Sequence, residues 1–169
     1  MEAVDEFAHG FGWIQDGFLQ RCSHALVAGR DVWLIDPLDD EGVEERVLAA
    51  GTPAGVIQLL DRHNRDCATF AQRLGVPRHV VPSDPLGPFE FVRVRDWRVW
   101  REVALWWPSE RVLVCGDALG TIGYFRLGRG QVGLHPLLRL RPPRELEALD
   151  PEVILCGHGA GVFGAVAVF

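Results

Sequence analysis

Apolar residues fall along this chain in short runs separated by glycine, proline and charged residues, a pattern typical of β-strands joined by turns. Two pairs of runs lie close enough together to predict hairpins, namely 25–28 with 32–36 and 102–107 with 111–115. Single strands are predicted at 55–60, 78–81 and 89–95 and, as the last strand of the chain, at 153–156.

Three further segments space their apolar residues as a helix does. Residues 40–50 stop at Gly51, residues 66–74 are expected to begin with Asp66 as N-cap and to end at Gly75, and residues 143–149 begin at a proline. Strands grouped in hairpins, together with these helices, predict an α+β or layered α/β fold rather than a simple doubly wound sheet. At 169 residues, the chain is expected to form a single domain, 1–169.

The charge and the apolar runs of the chain argue against nucleic-acid and membrane partners. The net charge is −6, which argues against a nucleic-acid partner because neutralising phosphates requires clustered Lys and Arg. No apolar stretch approaches the roughly 20 residues of a membrane span, so no membrane partner is expected. The acidic start of the chain lacks the basic region of a signal peptide, which predicts a cytoplasmic protein.

Ligand-type residues directly follow three of the predicted strands. The segments 59–66, 113–119 and 154–159 each continue an apolar run into Asp or His side chains. Residues at strand ends are held by the sheet but reach solvent, and Asp and His are ligand types for divalent ions. The pattern therefore predicts a site for a divalent ion among these three segments.

The order of these segments resembles the metallo-β-lactamase superfamily. That family has an early hairpin ending in a phrase matched here by Leu-Ile-Asp-Pro at 34–37, and then an HxHxDH metal motif, matched in degenerate form at 61–66. A hairpin leading into Gly-Asp follows, matched at 102–117, and a late Gly-His is matched at 157–158. The resemblance covers about residues 22–164. It implies an α+β layered αβ/βα sandwich of two mixed sheets with helices outside.

The resemblance also implies a role for each matching residue. Asp117 matches the aspartate that bridges two metals, and His158 matches the late histidine ligand. Within the degenerate motif the four positions that bind metal in the family are occupied, in chain order, by Asp61, His63, Arg65 and Asp66. A further family histidine, expected before the second hairpin, has Arg98 as its nearest match.

These departures leave two functions open. In the first, which the resemblance implies, Asp61, His63, Asp66, Asp117 and His158 hold one Zn, Fe or Mn ion. That ion supports hydrolysis of a small-molecule ester, thioester, lactone or phosphoester. Asp117 and Asp66 are then the catalytic candidates, with Asp117 positioning the attacking water. In the second, the chain is a non-catalytic scaffold or binding protein without a metal. Arginine cannot bind a cation, and Arg65 and Arg98 would supply the positive charge of the lost ion.

Several other residues carry weaker expectations. The apolar tail 164–169 predicts packing as a strand or burial in a homodimer. Asp36 ends a strand before a proline, which favours a structural role, and His24 and His135 are secondary site candidates. The tryptophans of 97–107 favour core packing, with an apolar substrate wall or a dimer face as the alternatives.

Overall fold

The first sheet contains six strands, which follow one another in space as they do in sequence. A computed structural model of the protein describes residues 2–126, 130–164 and 168. The first four strands pair antiparallel and the last three pair in parallel, so the sheet is mixed. Its strands are β1 (Glu2–Phe7), β2 (Gly10–Gln15), β3 (Arg21–Ala28), β4 (Asp31–Ile35), β5 (Thr52–Gln58) and β6 (Arg78–Val80). The parallel crossovers contain α1 (Val43–Ala50) and α2 (Cys67–Leu74).

The second sheet contains five strands and is also mixed. Its strands are β7 (Glu90–Trp97), β8 (Trp100–Trp107), β9 (Val112–Cys115), β12 (Val153–Cys156) and β13 (Val162–Phe163), in the order β13-β12-β9-β8-β7. Among the described strands of this sheet, only β12 and β9 pair in parallel. Between them the chain forms a two-stranded ribbon of β10 (Leu119–Gly120) and β11 (Gly133–Leu134), and the helices α3 (Gly123–Arg126) and α4 (Arg144–Glu147).

The strands alternate their side chains between two apolar layers, because successive residues of a strand point to opposite faces. In β4, Trp33 and Ile35 pack between the two sheets, whereas Val32 and Leu34 pack against α1 and α2. In β9, Val112 and Val114 share the layer between the sheets, and the alternate residues pack on the outer face. The predicted sandwich of two mixed sheets with helices outside is thus confirmed.

Both predicted hairpins are present, and the predicted helices lie within one to three residues of α1, α2 and α4. Several details differ from prediction. The sequence pattern did not reveal β1, β2, β10, β11 or α3, and 153–156 is not the last strand because β13 follows it. Asp66 does occupy the N-cap of α2, but its side chain makes no capping bond. It accepts instead from the Asp39 N–H at 2.8 Å.

Four strand ends meet at one edge of the sandwich. The carboxyl ends of β4 and β5 in the first sheet lie beside those of β9 and β12 in the second. Isolated bridges between Arg21 and His158 and between Leu60 and Glu102 join the two sheets at this edge. The segments that carry the predicted ligands therefore converge there. Residues 165–167 and 169, which include most of the predicted apolar tail, lie outside the described residues.

No helix in the described part of the chain is long and apolar enough to cross a membrane.

Candidate metal centre

Three side chains converge at this edge, each from a different strand end. One Asp117 oxygen, Oδ1, lies 2.9 Å from His63 Nε2 and 3.0 Å from His158 Nε2. One potential ligand atom from each residue lies within 4.8 Å of the others. The three side chains are largely buried, with 12%, 16% and 8% of their surface exposed for His63, Asp117 and His158. A His/Asp/His group that could hold a metal ion is therefore present.

The partners of the other ring nitrogens determine which way the two histidines face. His63 Nδ1 lies 3.1 Å from Oδ2 of Asp36, and His158 Nδ1 lies 2.8 Å from the Leu19 carbonyl oxygen. Both partners are acceptors, so each Nδ1 carries the proton. Each Nε2 then donates to Asp117 when its ring is charged, or directs its lone pair toward Asp117 when its ring is neutral. Metal-binding histidines in proteins are oriented by the same kind of contact to a carboxylate or carbonyl.

The glycines before two of the ligands permit the close approach of the strand ends. A Cβ on Gly157 would lie 2.5 Å from the Gly116 carbonyl oxygen, which only glycine avoids. Gly116 itself packs against Glu102 and His63, where a Cβ would lie 3.2 Å from the Glu102 carboxylate. A side chain at Gly157 would push the ends of β9 and β12 apart and separate Asp117 from His158, and one at Gly116 would press on the Glu102 carboxylate.

Glu102 fixes the backbone from which Asp117 projects. Its carboxylate is fully buried, and Oε1 accepts from the N–H groups of both Asp117 and Ala118 at 2.8 Å. Oε2 accepts from Trp100 Nε1 at 2.7 Å. Burial, together with the nearby Asp117 charge, raises the pKa of Glu102 to about 7. This residue was missed in the sequence, where the only signal was a single acid in the apolar run Glu102–Trp107.

The cluster has a strongly perturbed electrostatic environment. Burial and the charge of Arg65 act to lower the pKa of His63, but hydrogen bonds to Asp117 and Asp36 outweigh them and raise it to about 9. Burial acts to raise the pKa of Asp117, yet the hydrogen bonds from His158 and His63 hold it well below its usual range. The site thus favours a positive charge beside Asp117.

The fold has close counterparts among solved structures. The B3 metallo-β-lactamase BLEG-1 aligns over 90% of this chain and 93% of its own, with a TM-score of 0.65 and 15% identity. The metallo-β-lactamase DIM-1, in a crystal exposed to ceftazidime, aligns over 99% and 93%, with a TM-score of 0.63 and 14% identity. This chain has the metallo-β-lactamase fold. A di-iron-bound protein, TTHA1623, aligns over 90% and 94%, with a TM-score of 0.61 and 20% identity. No family model and no curated protein matches the sequence.

Within this metallo-β-lactamase fold, the hydrogen bonds of the Arg65 guanidinium to described residues do not include Asp117. Its guanidinium donates to three backbone carbonyls, those of Cys22, Asp36 at 3.0 Å and Gly157 at 3.2 Å. These carbonyls belong to the two sheets, so Arg65 ties together the strand ends that carry the cluster. The guanidinium recorded beside Asp117 is that of Arg62, which lies 3.7 Å from Oδ2 and is half-exposed. Arg98 is exposed in the turn between β7 and β8.

The other two predicted ligands of the degenerate motif lie outside the cluster of three. Asp61 Oδ2 pairs with Arg101 Nε at 3.3 Å, while Asp61 Oδ1 is buried without a hydrogen-bond partner among the described residues. Asp66 is turned toward the Asp39 N–H, as described above. Asp36, expected to be structural, contacts His63 directly and also accepts from the Leu59 N–H.

Aromatic rings form one wall of the cluster. Phe125 stacks on His158 with 5.7 Å between ring centroids, and Trp100 packs edge-on against His135 at 4.8 Å. Trp100 also lies under the Arg62 guanidinium. Phe125 thus covers one face of His158 with an apolar ring.

Trp100 and Trp107 are buried, as core packing predicts, whereas 41% of Trp97 is exposed. His24 lies elsewhere, in a buried pair with Asp5.

Proposed function

We propose that the protein is a metal-dependent hydrolase that binds one divalent ion through His63, Asp117 and His158. The observation that carries the proposal is the convergence of these three ligand atoms while both histidine Nδ1 atoms are bound to acceptors. Two imidazole lone pairs and a carboxylate facing one point repel one another unless a cation or extra protons lie between them. A metal ion meets this requirement directly.

The donor set indicates which ions fit. Two imidazole nitrogens and one carboxylate oxygen suit Zn, Fe or Mn, and three protein ligands leave a coordination position for water or substrate. When bound, such an ion supplies Lewis acidity toward water and toward an ester or phosphoester oxygen. The substrate class on this proposal is a small ester, thioester, lactone or phosphoester.

The protein's own residues would prepare the site for this chemistry. Asp36 and the Leu19 carbonyl hold the two imidazoles in one tautomer, so that Nε2 stays available. Glu102 holds the Asp117 backbone, and the second oxygen of Asp117 remains free of the histidines to accept a hydrogen bond that positions a water molecule. Trp100 and Phe125 limit the access of bulk solvent to the cluster.

Hydrolysis of small esters tests the proposal. After removal of metal by chelation and separate reloading with Zn, Fe or Mn, the protein is expected to hydrolyse p-nitrophenyl acetate or p-nitrophenyl phosphate with at least one of these ions. Substituting His158→Ala removes one ligand and should reduce kcat/KM by about a hundredfold or more.

The matched control is His9→Ala, because His9 lies in the turn between β1 and β2, at the opposite end of the sandwich, and pairs with Glu110. This variant should retain the full rate. Equal rates for the native protein and His158→Ala would contradict the proposal, and so would the absence of hydrolysis with all three ions.

A further inference from the structure

Two cavities open on either side of β7, at the edge of the second sheet. Both are lined by Arg93, Arg95 and Asp96. The larger cavity, of about 360 Å³, is bounded on its other side by residues 142–145, which lead into α4. The smaller, of about 160 Å³, is closed by residues 80–83 after β6 and by Arg101 and Val103 of β8. Even the smaller cavity is several times larger than the roughly 30 Å³ that one water molecule occupies in liquid water.

The smaller cavity concentrates positive charge. Three of its lining side chains are the guanidinium groups of Arg93, Arg95 and Arg101, against the single carboxylate of Asp96. The pair between Arg93 and Asp96 is weak, since the two groups lie 3.8 Å apart and both side chains are more than half exposed. Arg101 pairs with Asp61, which does not line the cavity. Such a concentration is unexpected in a protein whose net charge is −6, because arginines that face one cavity repel one another.

Arg95 lacks partners for its buried donors. Its Nε and one of its terminal nitrogens are buried and make no hydrogen bond to any described residue. The guanidinium stacks on Trp97, with 4.8 Å to the ring centroid, which holds its plane but satisfies none of its N–H groups. Buried charged donors without an acceptor are costly, so an acceptor is expected to complete the site. The planar fork of arginine matches a carboxylate or phosphate.

The cavity adjoins the candidate metal centre. Arg95 is the cross-strand partner of Glu102, the residue that holds the Asp117 backbone. Arg101 pairs with Asp61, which is two residues before His63. Two arginines of the cavity therefore lie next to residues that flank or position the cluster.

We infer that the smaller cavity is an oxyanion subsite, centred on Arg95, that takes the phosphate or carboxylate group of an anionic substrate. The assignment of the bound anionic group to a substrate rests on the proposed hydrolase function. Binding of the oxyanion itself does not depend on that function, because none of the three arginines belongs to the His/Asp/His cluster.

The first test measures binding alone. Inorganic phosphate and, separately, acetate are titrated into metal-free protein while backbone amide signals of 80–83 and 93–96 are followed by NMR. Saturable shifts are expected with at least one probe, weakened about tenfold or more in Arg95→Gln and less in Arg95→Lys, which keeps the charge. The control is Arg30→Gln, an exposed arginine in the turn between β3 and β4, which should bind as the native protein does.

The second test compares esters on the metal-loaded protein. A p-nitrophenyl ester whose acyl chain ends in a carboxylate should have a lower KM than its neutral analogue, and Arg95→Gln should remove that difference with little change in kcat. Shifts that are absent, or unchanged by Arg95→Gln, overturn the subsite. If oxyanions bind but both esters have the same kcat/KM, the subsite does not bind the anionic group of a substrate. Oxyanion binding without any hydrolysis supports the subsite and contradicts the proposed function.

Discussion

Replacing Glu102 with Ala is expected to lower the free energy of unfolding by about 4 kcal/mol, because each buried donor left without a partner costs ~1–3 kcal/mol. Three N–H groups would lose their acceptor, those of Asp117, Ala118 and the Trp100 indole. Relief from burying a carboxylate, the same burial that raises the pKa of Glu102 to about 7, offsets part of this loss. A large net destabilisation should remain.

Urea denaturation of the metal-free protein measures this effect. Glu102→Gln is the informative companion, since its amide oxygen can still accept from both backbone N–H groups while its NH₂ faces the Trp100 indole N–H. We expect Glu102→Gln to lose roughly half as much stability as Glu102→Ala. Glu41→Ala, in the exposed loop before α1, should change stability by less than about 0.5 kcal/mol. A loss below about 1 kcal/mol for Glu102→Ala would contradict the role given to this residue.

The second large effect is expected from Asp117→Asn. The substitution keeps the size of the side chain but removes the carboxylate that both histidines contact. Because a neutral amide is a poor ligand for Zn, Fe or Mn, we expect metal affinity to fall at least a hundredfold, more than the 10–100-fold typical of losing an outer contact. Competition with a chromogenic chelator measures the change.

The neighbouring aspartates of the degenerate motif provide matched controls. Asp61 is paired with Arg101 and Asp66 with a backbone N–H, and neither belongs to the cluster of three. Asp61→Asn and Asp66→Asn are therefore expected to retain metal with little loss of affinity. If either weakens metal binding as much as Asp117→Asn does, the ion is held by a different set of residues.

The parts of the fold that local pattern determines were predictable from the sequence. The two hairpins follow from alternating runs separated by short turns, and the helices follow from spacing and glycine stops. The first strand was less visible because its run, Glu2–Phe7, contains three acidic residues and carries few apolar side chains. It lies at the edge of its sheet, where exposed polar residues are tolerated.

Only those site residues that follow the end of a strand were predictable from the sequence. His63, Asp117 and His158 each follow a buried strand, and the sandwich brings those ends together. The contacts of Glu102 and Asp36 depend on how the sheets align with one another, which no local pattern encodes. The direction of Asp61, Arg65 and Asp66 depends on the loop after β5, where Arg65 has a positive φ of 38°. Motif position alone therefore could not indicate which of them face the cluster.

The metal content of the purified protein tests the proposed metal centre most directly. Elemental analysis after purification without added metal, and again after loading and removal of excess ion, should give one equivalent of Zn, Fe or Mn per chain. The equivalent should be absent in His63→Ala prepared in parallel. A loaded native protein that retains no stoichiometric ion, with His63→Ala indistinguishable from it, would contradict a metal centre and favour the metal-free scaffold.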